Sequence, residues 1–544
     1  MALEDRLKER GITIVGGVPE QLEVLDPNGD ALFLIADLQD AFGERHAELL
    51  AQREKRYAEF DDGKLPDFLP ETRHIREDKT WRVTDIPDDL LYRWAELTGP
   101  ANSARMVAGA LNSGANTWMA DYEDALSPLW ENILANTFNL YNAITRQREF
   151  NPDTGEFNLN EDLATIITRP RGLHLPEAHM LVDGQPVSAT MFDLGMVHSI
   201  LTPDQMRRGQ TPANYLPKIE HYEEGGLLSN VLDAISNKKN IPKGTIKVSI
   251  LIEQILATFQ VAEILHAMKD YAMCANVGRW DQTASWYRAF RNHPNMGLPD
   301  RQLVTMMQPF MIAYQKEPLR VCYERGAQPM GGMEANVPTG AERQSDPEAY
   351  SRRIDAVKAD ARREAEIGFY GKWSAHPATV QLIKEVFEEV MDGKPSQPYK
   401  FEHEPNVTQQ QLLELPQGAR TYEGMVDSAE EGIGYGGPWL NGTGAVALKG
   451  RMVDLATAEI TREELGHRAK HGTVLEDGRT VTPELARQAI QEAGNNIRNR
   501  MGPEAFEAGK FPLAMELFQQ AVELGPRYVP DLGYRHLVLS SGKG

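Results

Sequence analysis

Lys247-Val248-Ser249-Ile250-Leu251-Ile252 runs straight into Glu253, and further on Met273-Cys274-Ala275-Asn276-Val277 runs into Gly278-Arg279-Trp280-Asp281. Each is an apolar run of strand length that ends near a carboxylate, and Ile255–Tyr271 between them carries a helical pattern. Two strands joined by a helix make a parallel unit, with both strand ends on one side of the sheet. Glu253 and Asp281 stand 28 residues apart, the length of one such unit, so neighbouring strands present the two acids side by side.

The alternation extends outward in both directions. Trp94–Leu97, Thr117–Tyr122, Thr165–Arg169, Asn214–Ile219, Gln328–Met330 and Lys372–Ala375 bring the strand-length runs to eight, with further helical candidates at Ala104–Asn112 and Pro347–Ala365. Eight strand–helix units predict an α/β fold, the closed TIM (β/α)8 barrel. A doubly wound open sheet shares the alternation, but its usual Gly-x-Gly-x-x-Gly turn is missing after every early run.

Barrel strand ends build one mouth. It collects Asp121, Glu123 and Asp124 from the second run, Arg169 and Arg171 from the third, and Lys218 and Glu220 from the fourth; Glu253 and Asp281 come from the fifth and sixth. A lone acid at a strand end commonly does no more than meet solvent. An in-register pair flanked by more charges also offers ligands to a hard divalent cation, and with water and substrate oxygens completing the shell it suits Mg²⁺ better than Ca²⁺ or zinc. The Gly278–Asp281 backbone is either a simple turn or a set of N–H donors for a carboxylate-bearing substrate.

Outside the barrel, assigned to residues 93–396, the pattern is helical. Residues 1–92 read as an N-terminal helical clasp, with Leu34, Leu38, Phe42, Leu49 and Tyr57 near helical spacing before a stretch rich in proline and charge. In residues 397–544 the segments Val407–Leu415, Ala456–Gly466 and Pro483–Met501 read as helices. The glycine-rich Glu431–Pro438 fits no phosphate loop and reads as a tight-packing or turn segment.

Composition narrows the function classes. With 57 Lys plus Arg against 79 Asp plus Glu, the net charge of −22 excludes a nucleic-acid backbone as the main partner. The most apolar stretch, Ile246–Met268, is broken by Lys247, Glu253 and Glu263, so no membrane span is expected. The charged N-terminus carries no export signal, Ser540–Gly544 is not a Ser-Lys-Leu address, and two cysteines, Cys274 and Cys322, fit a reducing cytoplasm. His376 reads as a structural histidine as readily as a pocket one, and Met330, Met333 and Cys274 read as core.

A set of motifs adds to this reading. Leu65-Pro66-Asp67-Phe68, Thr98-Gly99-Pro100, Met119-Ala120-Asp121-Tyr122-Glu123-Asp124, Arg169-Pro170-Arg171-Gly172-Leu173-His174-Leu175 and Leu216-Pro217-Lys218 precede Gly278-Arg279-Trp280-Asp281. Leu298-Pro299-Asp300-Arg301, Gly331-Gly332-Met333, Ala375-His376-Pro377 and Asp454-Leu455-Ala456-Thr457-Ala458-Glu459-Ile460 follow it. In this order, over nearly the whole chain, they resemble malate synthase, the A type more than the longer G type.

The resemblance implies condensation of acetyl-CoA with glyoxylate and water to malate and CoA, a step of the glyoxylate cycle, in a barrel with an N-terminal clasp and a C-terminal helical plug. It implies that Glu253 and Asp281 hold Mg²⁺ and that Arg169 works at the reacting carbonyls. It further implies that Asp454 removes the methyl proton and that Gly278, Arg279, Trp280 and Asp281 bind glyoxylate. Asp121 and Glu123 stand behind these groups, and Pro309 matches a CoA contact. Asp454 lies outside the barrel in sequence, so the helical unit must dock over the mouth. The chain departs from the family pattern at Val453, usually Glu, at Gln282, usually aromatic, and at Ala125, often Ser; Glu463-Glu464-Leu465-Gly466-His467 replaces a Trp-rich helix. Two rivals follow: a Mg²⁺-dependent malyl-CoA lyase or aldolase, which would lack a plug carrying Asp454, and a catalytically silent relative that binds CoA or a keto acid.

Overall fold

The computed structural model describes residues 3–145 and 158–538; Ser540–Gly544, read above for its address, lies outside them. Its centre is a row of parallel strands: β1 (Ala95–Pro100), β2 (Thr117–Asp121), β3 (Thr165–Arg169), β4 (Ala213–Leu216), β5 (Lys247–Ile252), β6 (Ala272–Val277), β7 (Gln328–Met330), β8 (Met333–Glu334) and β9 (Lys372–Ser374). They pair in the order β7-β6-β5-β4-β3-β2-β1-β9-β8. Only Gly331-Gly332 separates β7, paired to β6, from β8, paired to β9. The two ends of the row are thus halves of one strand, and the sheet closes as the eight-stranded barrel that the alternation predicts. Met119, Ile167, Tyr215, Leu251, Met273, Cys274, Met330 and Trp373 fill its interior.

The helical pattern Ile255–Tyr271 is broken into Ile255–Thr258 and Val261–Ala267. The break falls at Gln260, whose side chain accepts the Tyr222 N–H at 3.2 Å and donates to the Leu256 carbonyl at 3.4 Å. Among the described residues no helix is long and apolar enough to cross a membrane.

The clasp is built on α1 (Asp30–Asp61). Its first turn is satisfied by Asp26, whose Oδ2 accepts the N–H groups of Ala31 and Leu32 at 3.0 Å each. Leu34, Ile35, Leu38, Leu49, Arg53, Tyr57 and Phe60 make its buried face, which packs on the helices Ala189–Ile200 and Tyr222–Lys239. Each buried leucine or phenylalanine on that face contributes about 1.5–3 kcal/mol.

Beyond the barrel helix α2 (Arg279–Ala289), the C-terminal unit is organised by α3 (Tyr422–Leu440) and α4 (Leu455–His471). Core residues up to Leu412 join the barrel core, and those from Tyr422 to Leu537 form another. The stretch Glu431–Pro438 lies inside α3, so its glycines serve packing and not a turn. A Cβ on Gly432 would collide with the Phe518 ring. A mid-helix glycine costs about 1 kcal/mol relative to alanine, a loss offset where it lets an aromatic ring seat against the backbone. Val407–Leu415 shortens to the helix Gln409–Leu412, closed at its start by a Thr408–Gln411 capping box. Pro416, just beyond, cannot continue it.

Candidate active site

β2 delivers Asp121 at its last position, and Tyr122-Glu123-Asp124 turn away from it. Asp121 fixes this turn by accepting the N–H groups of Glu123 at 2.9 Å and Ala125 at 2.8 Å. The same carboxylate takes Arg169 from the end of β3, Nε at 2.7 Å and Nη2 at 2.6 Å. One edge of the guanidinium is thereby locked, and Nη1 is left beside Asp124 at 3.3 Å and Glu123 at 3.5 Å.

Past β4, Lys218 sits in the left-handed region at φ 53°, a conformation that costs a residue bearing a side chain about 1–2 kcal/mol. Three sets of contacts hold it there. Its N–H donates to Glu253 Oε1 at 2.8 Å, its Nζ reaches both Asp124 oxygens at 2.9 Å and Glu123 Oε1 at 3.0 Å, and Asp281 Oδ1 lies at 3.5 Å. Glu253 follows β5 and Asp281 lies in the first turn of α2. The intervening loop passes so near Glu253 that a Cβ on Gly278 would stand 3.1 Å from Oε2.

The roof comes from the helical unit. Asp454 is the N-cap of α4, its Oδ1 accepting the Thr457 N–H and Oγ1 at 3.3 Å each. The unit rests on the β2 turn itself. Leu455 N–H donates to the Asp124 carbonyl at 3.3 Å, and Ser127 Oγ donates to the Trp439 carbonyl at 2.8 Å. Gly444 approaches so closely that a Cβ there would lie 2.5 Å from the Ala125 carbonyl. Between barrel and roof is a cavity of about 280 Å³ lined by Asp124, Arg169, Glu253, Gly278, Arg279, Trp280, Asp281, Arg451 and Asp454, among others. A larger cavity, about 590 Å³, lies beside Gly466 and His467 near the other end of α4 and contains none of the strand-end acids. Convergent charge, not volume, singles out the smaller one.

Electrostatics divide the acids. Burial pushes Asp124 upward, but the charges of Lys218 and Arg169 outweigh it and hold the carboxyl below its usual range. Glu253 is pushed up to about 8 by burial and then by Asp281. Burial raises Asp281 despite Lys218. Burial, then the charge of Asp124, raises Asp454 to about 7. Asp281 Oδ1 is buried and accepts no hydrogen bond. Such an oxygen, beside a second carboxylate of high pKa, is a donor pair that fits a hard divalent cation. Among the described residues no group of three or more His, Cys, Asp or Glu side chains is arranged to hold a metal.

Family models for malate synthase match three consecutive parts of the chain: the N-terminal domain over residues 12–74, the TIM barrel domain over 165–415 and the C-terminal domain over 419–533. The malate synthase of Myxococcus xanthus (strain DK1622) is 38% identical over 508 residues, 93% of this chain and 92% of that protein. The chain belongs to the malate synthase family. The malate synthase of Streptomyces clavuligerus is 39% identical over 508 residues, 92% of this chain and 93% of its own. Among solved structures, the Haloferax volcanii malate synthase pyruvate/acetyl-CoA ternary complex matches at 16% identity and a TM-score of 0.45, covering 78% of this chain and 99% of that one. Malate synthases condense acetyl-CoA with glyoxylate to malate, and this is the activity of the chain.

Arg169, Glu253, Gly278, Arg279, Trp280, Asp281 and Asp454 all line the one cavity. Asp121 and Glu123 lie behind Arg169, off the lining. Pro309 is also off the lining; it opens the helix Pro309–Arg325 just after the lining stretch Thr305–Met307. Arg171 is turned away and bound to Asp193 and Glu177, both at 2.7 Å. Glu220 faces the clasp, and His376 is a helix N-cap. Of the departures from the malate synthase pattern, Gln282 is buried against Thr258 and Val453 is buried in a hairpin, both off the cavity lining. Asp124 and Lys218 received no role from sequence, yet they are the densest charge contact of the mouth. The sequence marked them by position, at the ends of the second and fourth strands, and as the last residues of the Met119–Asp124 and Leu216–Lys218 motifs.

Proposed function

We propose that Asp454 is the base that removes a methyl proton from acetyl-CoA, that Arg169 stabilises the enolate, and that Glu253 with Gly278–Asp281 binds glyoxylate. The observation that carries this reading is the convergence of Arg169, the Glu253–Asp281 pair and Asp454 on one cavity, with Asp454 arriving from the separate helical unit. A thioester methyl is a weak carbon acid, so the base needs a pKa near the operating pH and an electrophilic partner for the developing oxyanion. Asp454 at about 7 meets the first need. Arg169 meets the second with Nη1, because Asp121 already occupies Nε and Nη2.

Glu253 and Asp281 would hold Mg²⁺, which would supply Lewis-acid polarisation of the glyoxylate carbonyl. Gly278 N–H is engaged by the Tyr314 hydroxyl at 2.8 Å, so the glyoxylate carboxylate falls to the N–H groups after it and to Arg279. Arg279 lies over Trp280 at 3.8 Å, and Arg451 on the same cavity wall is not ion-paired among the described residues, which suits an anionic cosubstrate such as CoA. Pro309, beyond Met307, is assigned to the CoA arm. Cys274 and Cys322 are free and buried, in keeping with a reducing compartment, which we take to be the cytoplasm.

The test is release of CoA thiol from acetyl-CoA, followed with and without glyoxylate and with and without a chelator. Release that needs both glyoxylate and Mg²⁺, and that fails in Asp281→Asn while the protein stays folded, is the expected result. Full turnover of Asp281→Asn in excess chelator would remove the metal pair from the reading.

A further inference from the structure

The clasp helix reaches the turn after β4 through Arg53, beside Tyr57, whose hydroxyl donates to Glu220 at 3.3 Å, and Arg56, 3.6 Å from Glu224. Arg53, on α1, is 2% exposed and lies among polar groups: Nε and Nη2 donate to the two oxygens of Glu224 at 2.8 Å each, and Nη1 lies 3.4 Å from Glu220. Nη2 also donates to the main-chain carbonyl of Lys218 at 2.9 Å. Lys218 is the left-handed residue whose N–H holds Glu253 and whose Nζ holds Asp124 and Glu123.

A buried ion pair by itself is poor evidence of a stabilising role, since well-packed apolar residues of the same volume often do as well or better. Arg53 follows Leu49 and precedes Tyr57 on one buried stripe of α1, a place where an apolar side chain would complete the face. What an apolar side chain cannot do is grip a carbonyl. The peptide following Lys218 is therefore held from outside the barrel, while Lys218's own N–H and Nζ are held from inside. Glu224 anchors the guanidinium and in turn accepts the Glu220 N–H at 2.8 Å, so the whole turn after β4 is tied to the clasp.

We propose that Arg53 is a positioning residue of the reaction: the clasp fixes the left-handed Lys218 turn through it, and so sets Glu253 and Asp124. This rests on the reading of Glu253 and Asp281 as a divalent-ion site. The guanidinium grips Glu224 and the carbonyl together through a planar fork, which the single ammonium of lysine cannot reproduce on a shorter side chain.

The test compares Arg53→Lys with Leu49→Ala, a buried change on the same helix face without a contact to Lys218, in the full-length protein. Mn²⁺ affinity is read by electron paramagnetic resonance, beside Tm and kcat. Arg53→Lys should weaken Mn²⁺ binding by about 10- to 100-fold, the range for a lost charge-assisted hydrogen bond, and lower kcat with only a modest fall in Tm. Leu49→Ala should lower Tm and leave Mn²⁺ affinity unchanged. Wild-type affinity and kcat in Arg53→Lys, or an equal loss in Leu49→Ala, overturns the proposal. If Arg53→Lys does not fold, Glu224→Gln loosens the same guanidinium and is judged by the same two outcomes. Asp281→Asn is run alongside: unchanged Mn²⁺ binding there defeats the metal-pair reading, whereas its loss with intact Arg53→Lys binding defeats only the role of Arg53.

Discussion

On the barrel side of the cavity, Asp124 is buried with Lys218 Nζ at 2.9 Å from both oxygens and Arg169 at 3.3 Å. On the roof side, Asp454 has one oxygen engaged by weak cap bonds at 3.3 Å, and among the described residues no cation is ion-paired with it. Both are aspartates in the same cavity wall, yet the first is held below the usual carboxylate range and the second is raised to about 7. The difference teaches how one cavity makes two kinds of acid. Burial raises both; Lys218 and Arg169 pair directly with Asp124 and outweigh its burial, whereas at Asp454 the pull of Arg169 is smaller than burial and the push of Asp124. Asp124 is held ionised between Arg169 and Lys218, and the raised carboxyl of Asp454 suits the base proposed for it.

The largest expected effect comes from removing the acid on the roof side. Asp454→Asn keeps the shape but cannot accept a proton at neutral pH, and loss of a general base costs about 10²–10⁴ in rate. Deuterium exchange from the acetyl-CoA methyl into water should fall by that factor, while glyoxylate titrated by calorimetry should bind nearly as before. Wild-type exchange would hand the base role to another group. Lost glyoxylate binding would move Asp454 into the substrate shell and erase the contrast with Asp124.

A smaller effect is expected from changing the cation that separates the two. In Arg169→Lys the charge persists, but an ammonium cannot bridge Asp121 along one edge and present a second edge to the cavity. A kcat lower by about 10- to 100-fold is expected, the worth of one hydrogen bond to a charged group. Measured kcat equal to wild type would show that Lys218 alone supplies the positive field.

How much of this was legible beforehand depends on the distance over which each feature is decided. The eight strands were readable because each is a local apolar run, and Glu253 and Asp281 because register follows from a 28-residue unit. Asp454 could be placed at the mouth only through the resemblance, since nothing local in Val453-Asp454-Leu455 says what it faces. Lys218 stayed without a role because its part depends on a left-handed backbone and on four carboxylates from three other strand ends, none of them near in sequence. The glycines of α3 left packing and turn both open for the same reason: Phe518, whose ring Gly432 makes room for, lies 86 residues away on another helix.

The smallest predicted effect is also the most direct measure of the contrast, because it moves a pH profile while leaving the base in place. With Asp454 as the proposed base, its protonation would inactivate the enzyme, and kcat/KM should fall on the acid side with a midpoint near 7, where burial and the charge of Asp124 set the carboxyl. Asp124→Asn removes that like charge and at the same time leaves Lys218 and Arg169 less neutralised. Both changes favour ionised Asp454. The acid limb should therefore move downward, by about one pH unit for a like charge lost at close range, and the variant should hold its own plateau activity at a pH where wild type has begun to fail. The plateau itself will drop, since Lys218 and Arg169 lose an anchor, but height and midpoint are read independently from one profile. A midpoint that stays put would mean that burial alone sets Asp454, and one that rises would mean that Lys218 and Arg169 act on Asp454 only through Asp124.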